Sequence, residues 1–403
     1  MATLALPTHD QQIRLDAVAI DGRLVAKGLA TTRASGIAAA LAAQPIEDVP
    51  QIVSQLFPLC GTAHAIASLT AIEAALGLEV SPAQLVFREL MLLAEHGAAL
   101  GWRILMDWPP LLGNSPDVRA CADIRRAAAA AVSAAAERGR WPRIGGARLR
   151  PDRNELGRAM SELVRMLVAL FPEAANSMLS WNELEPAMQG GASTPARLIN
   201  IARADGMAGY GHHDRPLLPP MDADWFAARL ATEPHFSDAP TLGGTAAEVG
   251  PLAAQRHPLM AEAIAHWGAT LATRLLAAAL DAPVVAGRLC RALDELADDD
   301  PVEVDLTRAG HGAGVVETAR GPLAYFVDAA DGRVRILRSV APTEWNFHPD
   351  GPFMAALDAA PRVADPLLAA RLLAASFDPC VPFSIELVGA HRPPTYGEIA
   401  LHA

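Results

Sequence analysis

The sequence predicts an α+β fold that is predominantly helical, with small β-sheets contributed by both ends of the chain. Three observations carry this expectation. Hydrophobic residues make up 51% and charged residues 19% of the 403 positions, enough to bury a sizeable core and too little charge for a disordered chain. Apolar residues recur at three-to-four spacing through most of the middle of the chain, as on a helix face. Strand-like runs joined by Asp-Gly turns lie near the start and again after Pro301. The expected organisation is one interlocked unit over 1–403. Residues 1–56 form a β-hairpin lead-in, 57–300 a helical core, and 301–403 a second hairpin region with a C-terminal cysteine segment.

The elements follow in order. Residues 13–20 and 23–30 favour strands and meet at Asp21-Gly22, a dipeptide that supplies the positive φ of a tight hairpin. Ile66, Leu69, Ile72 and Leu76 mark a helix that Gly77 ends. Ser81-Pro82-Ala83-Gln84 combines an N-cap, a first-turn proline and a capping-box glutamine. The helix it opens is expected to run to about Asp107, where Pro109-Pro110 forbids continuation. Further helices are expected over 117–138, 152–170 and 258–280, whereas 189–250 is rich in Gly and Pro and yields no clear element. Strands are expected over 302–306, 314–317, 324–329 and 334–340, with Asp331-Gly332 as a second hairpin turn. A helix over 365–375 and an irregular tail holding Pro379, Pro382, Pro393 and Pro394 complete the chain.

Charge and cysteine usage exclude several functions. The net charge is −12, Lys27 is the sole lysine, and no basic run occurs, which argues against binding nucleic acid or anionic lipid. Cys60, Cys121, Cys290 and Cys380 lie far apart, so the chain does not read as a disulfide-stapled secreted fold. No signal-peptide pattern opens the sequence, and its apolar runs are too short or too interrupted by charge to span a bilayer. A cytoplasmic protein without membrane insertion is expected.

Two cysteines stand in unusual surroundings. Cys60 lies where a helix begins, four residues before His64, which places both on one helix face. A thiol at a helix N-terminus has its thiolate favoured by the dipole, which suits metal binding or nucleophilic chemistry. Cys380 lies between Pro379 and Val381-Pro382, after the last predicted helix. On spacing alone an inert, packed cysteine remains the default reading of each.

Five blocks together resemble the large subunit of nickel–iron hydrogenases. Cys60-Gly61-Thr62-Ala63-His64-Ala65-Ile66-Ala67-Ser68 resembles the family's C-G-x-C-x-x-x-H-A-x-A-S from its second cysteine onward, with Phe57 at the first. Glu248-Val249-Gly250-Pro251-Leu252-Ala253 resembles E-V-G-P-L-A, Glu317-Thr318-Ala319-Arg320-Gly321 resembles E-A-P-R-G, and Pro342-Thr343-Glu344-Trp345-Asn346 resembles P-T-T-W-N. Ser376-Phe377-Asp378-Pro379-Cys380 resembles S-F-D-P-C-x-x-C-x-x-H, but Phe383 replaces its second cysteine and Glu386 its histidine. The likeness is thin from about Ala147 to Pro240.

The departures shape the implied function. The family's centre uses four thiolates on nickel, two of them bridging to iron, and phenylalanine supplies no ligand. The family's acidic residue before the first strand is also replaced, since Gln11-Gln12-Ile13-Arg14 stands there. A hydrogenase-like chain with half its cysteines lost is similar to the HupK/HoxV family of hydrogenase accessory proteins. That resemblance implies a scaffold, not an enzyme, which holds or transfers an Fe(CN)2CO unit without nickel. Its implied partners are the immature hydrogenase large subunit and a small iron-carrying maturation chaperone.

By the same resemblance Cys60 and Cys380 would be the metal residues. Arg320 would donate to one cyanide, the Pro342-Thr343 turn would contact the other, and His64 would steady a cysteine sulfur. Cys380 matches a cysteine that in the enzymes binds nickel alone. Either the tail is shifted so that both thiols reach one iron, or Cys60 alone holds it and Cys380 serves transfer or docking. No C-terminal processing is expected with Glu386 at the cleavage position. A non-catalytic structural subunit on the same fold is the alternative function, and a Cys60/His64 thiol enzyme ranks last for want of a third orienting residue. Elsewhere the default readings are structural. Arg320 could pair with Glu317 or Asp378, Trp345 and Asn346 pack beside a turn, His96 packs on its helix, and His212-His213 lies in a surface loop. Cys121 and Cys290 carry no motif.

Overall fold

The computed structural model describes residues 11–31, 41–137, 141–176, 179–204 and 206–388. Strands β1 (Ile13–Ile20) and β2 (Arg23–Thr31) form the expected antiparallel hairpin. Asp21 (φ 49°) and Gly22 (φ 72°) supply the left-handed turn that the strand twist requires. Ile13, Leu15 and Ala17 alternate inward, as period-two patterning dictates for a half-buried strand.

Helices α1 (Val49–Leu56), α2 (Gly61–Leu76) and α3 (Pro82–Trp102) follow. Gly77 caps α2 in the left-handed region, and the Ser81 hydroxyl accepts the Gln84 N–H at the start of α3. The helix expected to reach Asp107 ends at Trp102. Arg103–Asp107 then make one π-helical turn, and α4 (Trp108–Leu111) is a single turn that carries its prolines at the start, where a missing N–H costs nothing.

Helices α5 (Val118–Ala135) and α6 (Arg153–Leu170) begin one residue after Asp117 and Asp152, whose carboxylates cap them; Arg138, the expected end of the first, lies outside the described residues. The stretch 189–250 resolves into the end of α7 (Trp181–Gly190), α8 (Thr194–Arg203), α9 (Ala223–Thr232) and connecting loops. After the short α10 (Pro251–Ala254), the helix expected over 258–280 is two: α11 (Met260–Trp267) and α12 (Leu271–Glu295). Gly268, at φ 71°, turns the chain between them. Helix α12 is buried along most of its first half and packs on α3, α6 and α8.

The second sheet contains β3 (Gly310–Thr318), β4 (Gly321–Ala330) and β5 (Arg333–Val340), antiparallel in that order, with Asp331-Gly332 as the turn. Residues 302–306, expected as a strand, are not one. Val302 donates its N–H to Gly145 O in a loop, and among the described residues no neighbouring strand completes a ladder there. Strand β3 lies against α2 backbone to backbone. A Cβ on Gly312 would meet Ala75 N at 2.4 Å and one on Gly314 would meet Ala67 O at 2.3 Å. These alternate glycines let the sheet settle on the helix that follows Cys60. Strand β4 is buried along nearly its whole length because α2 packs on it from one side and α9 contributes a second core with Phe226, Leu230, Phe326 and Trp345.

The chain closes through α13 (Pro342–Asn346), α14 (Pro352–Asp358), α15 (Pro366–Phe377) and β6 (Phe383–Leu387). Asp365 caps α15 through the Leu368 N–H. The expected irregular tail is corrected in part, since β6 lies parallel to β1 and makes the sheet order β2-β1-β6. Pro393 and Pro394 fall outside the described residues. Among the described residues, no helix is long and apolar enough to cross a membrane.

Candidate metal-binding site

Cys60 stands at the N-terminus of α2, half-buried, and its carbonyl accepts the His64 N–H. Two N–H groups of the first turn have Glu95 of α3 as acceptor, with Thr62 N–H donating at 2.7 Å and Ala63 N–H at 3.0 Å. His64 lies one turn further on and is 3% exposed. Its Nδ1 is 2.7 Å from the Tyr325 hydroxyl of β4, and Phe57 stacks on its ring with centroids 3.7 Å apart.

Cys380 follows α15. Asp378 ends that helix in the left-handed region (φ 49°), a conformation that Asp tolerates, and turns the chain toward α13. There the Thr343 hydroxyl and the Cys380 sulfur lie 3.1 Å apart, and the Cys380 N–H donates to the same hydroxyl oxygen at 3.4 Å. With its oxygen engaged in this way, the hydroxyl has its proton available for the sulfur. Pro342, buried, opens α13 beside it.

The two cysteines face one space. Cys60 and Cys380 line one cavity of about 190 Å³, together with Phe57, Pro58, Leu59 and Pro382. Arg320 is not on that cavity. It lines an adjoining one of about 110 Å³ with Pro58, Leu59 and Glu95, and a smaller one with Arg103, Asp107 and Asp378. Of the two positions where the enzyme family has further cysteines, Phe57 fills one as a wall of the thiol cavity. Phe383 is 3% exposed and packs among Phe347 and Phe353. Among the described residues, no group of three or more His, Cys, Asp or Glu is placed to hold a metal ion.

Arg320 has the ion-pair partner that the structural reading allowed. Its Nε lies 2.9 Å from Asp378 Oδ2 and also donates to the Asp378 carbonyl, whereas Glu317 pairs with Arg256. Two glycines from the blocks that resemble the family's motifs let its backbone pack closely. Gly250 (φ 109°) and Gly321 (φ 122°) approach so closely that a Cβ on Gly321 would meet Gly250 N at 2.9 Å.

Burial works against the Arg320 charge, yet Asp378, Cys380, Cys60 and Asp107 together push its pKa above the ordinary guanidinium value. Burial raises Asp378 too, but Arg103 and Arg320 outweigh it and hold its carboxyl below the carboxylate range. Two acids nearby behave oppositely. Burial pushes Glu95 up to about 7 against the Thr62 and Ala63 N–H groups, and burial with the Asp378 charge pushes Asp107 up to about 7.

Sequence reasoning missed Glu95, Asp107, Arg103 and Tyr325. The signal available for Glu95 was a carboxylate on the long helix beside His96. Two histidine readings need correction. His213 is buried, not a surface residue, with Nε2 2.7 Å from Glu248, which Arg274 also pairs. His96 is buried and bonded to Asp281, so it belongs to a polar network and is more than packing. Trp345 and Asn346 are structural as expected; Trp345 is fully buried and Asn346 bonds the Val249 backbone.

What this arrangement offers chemically is two soft sulfur donors on one cavity, with a buried guanidinium close enough for each to feel the other's charge. Comparison with known proteins places the chain among hydrogenase-related proteins. The family described as nickel-dependent hydrogenase matches residues 226–385. The hydrogenase expression/formation protein HupK of Rhizobium leguminosarum bv. viciae is 31% identical over 350 residues, covering 85% of this chain and 87% of that protein. The hydrogenase expression/formation protein HoxV of Cupriavidus necator is 28% identical and covers 92% of this chain and 96% of its own length. In fold, the nickel–iron–selenium hydrogenase of Desulfomicrobium baculatum superposes with a TM-score of 0.69 at 17% identity, covering 90% of this chain and 95% of that one.

Proposed function

Because the chain belongs to the HupK/HoxV family of hydrogenase expression/formation proteins, we propose that it is a non-catalytic scaffold in nickel–iron hydrogenase maturation. It holds an Fe(CN)2CO unit as cargo and passes it to the immature large subunit. The observation that carries this reading is the shared cavity of Cys60 and Cys380, with Phe57 on its wall and Phe383 packed in the core. Two thiolates suit an iron that already bears three diatomic ligands, and the missing pair leaves nickel without its sulfur set.

In this reading each residue has a limited task. Cys60 and Cys380 bind the iron through sulfur. Arg320 holds positive charge close to an anionic cargo, and Thr343 donates to the Cys380 sulfur, which drains electron density from that donor and eases release. His64, fixed by Tyr325 and Phe57, keeps the first turn of α2 in one conformation. The cargo arrives from a small iron-carrying maturation chaperone in the cytoplasm.

The test is an infrared spectrum of the protein purified without oxygen from a host that carries the maturation machinery. Bands in the cyanide and carbonyl stretching region, lost in Cys60→Ala and weakened or lost in Cys380→Ala, are the expected result. A silent spectrum from an iron-free wild-type protein would overturn the scaffold reading and bring forward the structural-subunit alternative.

A further inference from the structure

A second arginine stands behind the site. Arg103, in the π-helical turn after α3, is 1% exposed and donates from Nη2 to Asp378 Oδ2, the oxygen that Arg320 Nε also approaches. Its Nε and Nη1 find no acceptor among the described residues. Arg103 lines neither the thiol cavity nor the 110 Å³ chamber in front of Arg320; it borders the small cavity with Asp107 and Asp378. Its hydrogen bond to Asp378 ties it directly to the turn that carries Cys380.

We propose that Arg103 is a positioning residue, which fixes the Asp378-Pro379-Cys380 turn so that the Cys380 sulfur faces the cavity of Cys60. This rests on the reading of Cys380 as a cargo thiol. Several fastenings hold the turn. Asp378 is held by the two arginines, Cys380 by Thr343, and Pro382 by the Ile13 N–H on its carbonyl. Thr343 meets Cys380 through the sulfur at 3.1 Å and the N–H at 3.4 Å, neither of them an ion pair, and the β1 contact lies two residues beyond it. Two charge-assisted bonds on one carboxylate oxygen are the strong end of this strap.

Stability alone is a poor reason for Arg103. A buried guanidinium with two unmet donors is costly, and an apolar side chain of similar volume often serves the fold as well or better. Removing it still leaves Asp378 paired with Arg320, so no bare carboxylate is stranded. What methionine cannot do is direct Asp378.

The experiment uses the full chain, free of iron, so its outcome does not depend on the cargo. Alkylation rates of Cys60, Cys121 and Cys380 are read by peptide mass spectrometry in wild type, Arg103→Met and Arg103→Lys, with a melting curve for each. In Arg103→Met the Cys380 rate should rise by about tenfold, as when local opening becomes roughly 1.4 kcal/mol easier. Cys60 and Cys121 should stay within about twofold, the scale of surface-neutral changes. Arg103→Lys keeps a cation toward Asp378 and should bring the Cys380 rate back toward wild type. It also serves if the methionine variant does not fold, because Lys presents one point charge where Arg presents a fork and should leave a smaller but selective rise at Cys380. An unchanged Cys380 rate in both variants overturns the proposal. So does a rise shared by Cys60 and Cys121, which would mark general loosening. An infrared-silent wild type would remove the cargo reading while leaving this measurement intact.

Discussion

Phe57 lies flat on the His64 imidazole, with ring centroids 3.7 Å apart and planes 9° from parallel. The position that resembles a cysteine of the hydrogenase centre thus holds an aromatic ring that braces the residue four places beyond Cys60. Its replacement is a packing device, and restoring sulfur there should cost stability. Phe57→Cys is expected to lower the unfolding free energy by about 1–3 kcal/mol, the sum of a lost ring stack and lost apolar burial. Urea denaturation followed by circular dichroism measures this, and a variant as stable as wild type would show that the stack contributes nothing.

Tyr325 is the other support of His64. Tyr325→Phe removes the hydroxyl at 2.7 Å and leaves a buried imidazole nitrogen without that partner, at a cost of about 1–3 kcal/mol. The same denaturation assay reads it. Because the ring of Tyr325 remains, a loss larger than this range would point to repacking of β4 instead.

The glycines of β3 yield a paired prediction. Gly312→Ala drives a methyl group against the backbone of α2 and should destabilise by about 2–4 kcal/mol, since backbone cannot yield as a side chain can. Gly28→Ala in β2, where nothing lies within 4 Å of the added carbon, should change stability by no more than about 0.5 kcal/mol. Equal effects at the two positions would contradict the close packing of sheet and helix.

Glu95 predicts a pH dependence with a definite sign. Its pKa is raised by burial from an ordinary carboxylate value to about 7, so between about 4.5 and 7 the folded state keeps a proton that the unfolded state has released. The stability tied to that proton is therefore full below about pH 4.5 and is lost as pH rises through 7. Relative to wild type, Glu95→Gln should gain in melting temperature as pH goes from 5 to 8. A constant difference across that range would show that Glu95 titrates normally.

Much of the fold was legible because its signals are local. Asp21-Gly22 and Asp331-Gly332 announce hairpins through the φ values they permit, and Ser81, Asp117, Asp152 and Asp365 announce helix starts through the N–H groups they satisfy. The misses have the opposite character. The break at Gly268 and the π-helical turn at Arg103–Asp107 depend on what packs around them, and the loop over 302–306 had strand-like residues but no strand beside it. His213 looked like a loop residue because Glu248 and Arg274, which bury it, lie 35 and 61 positions away.

By itself, then, the sequence determined the helical and hairpin segments, the candidate thiols and the family to which they point, because caps, turns and motif order are properties of neighbouring residues. Only the tertiary structure decided that Cys60 and Cys380 share a cavity, that β6 docks beside β1, and that Glu95, Tyr325 and Arg103 shape the site. The bonds His64–Tyr325 and Arg103–Asp378 join residues 261 and 275 positions apart. No local propensity encodes such pairs. They exist because packing β4 on α2 and closing the chain through α15 bury polar groups that must then find partners in one another.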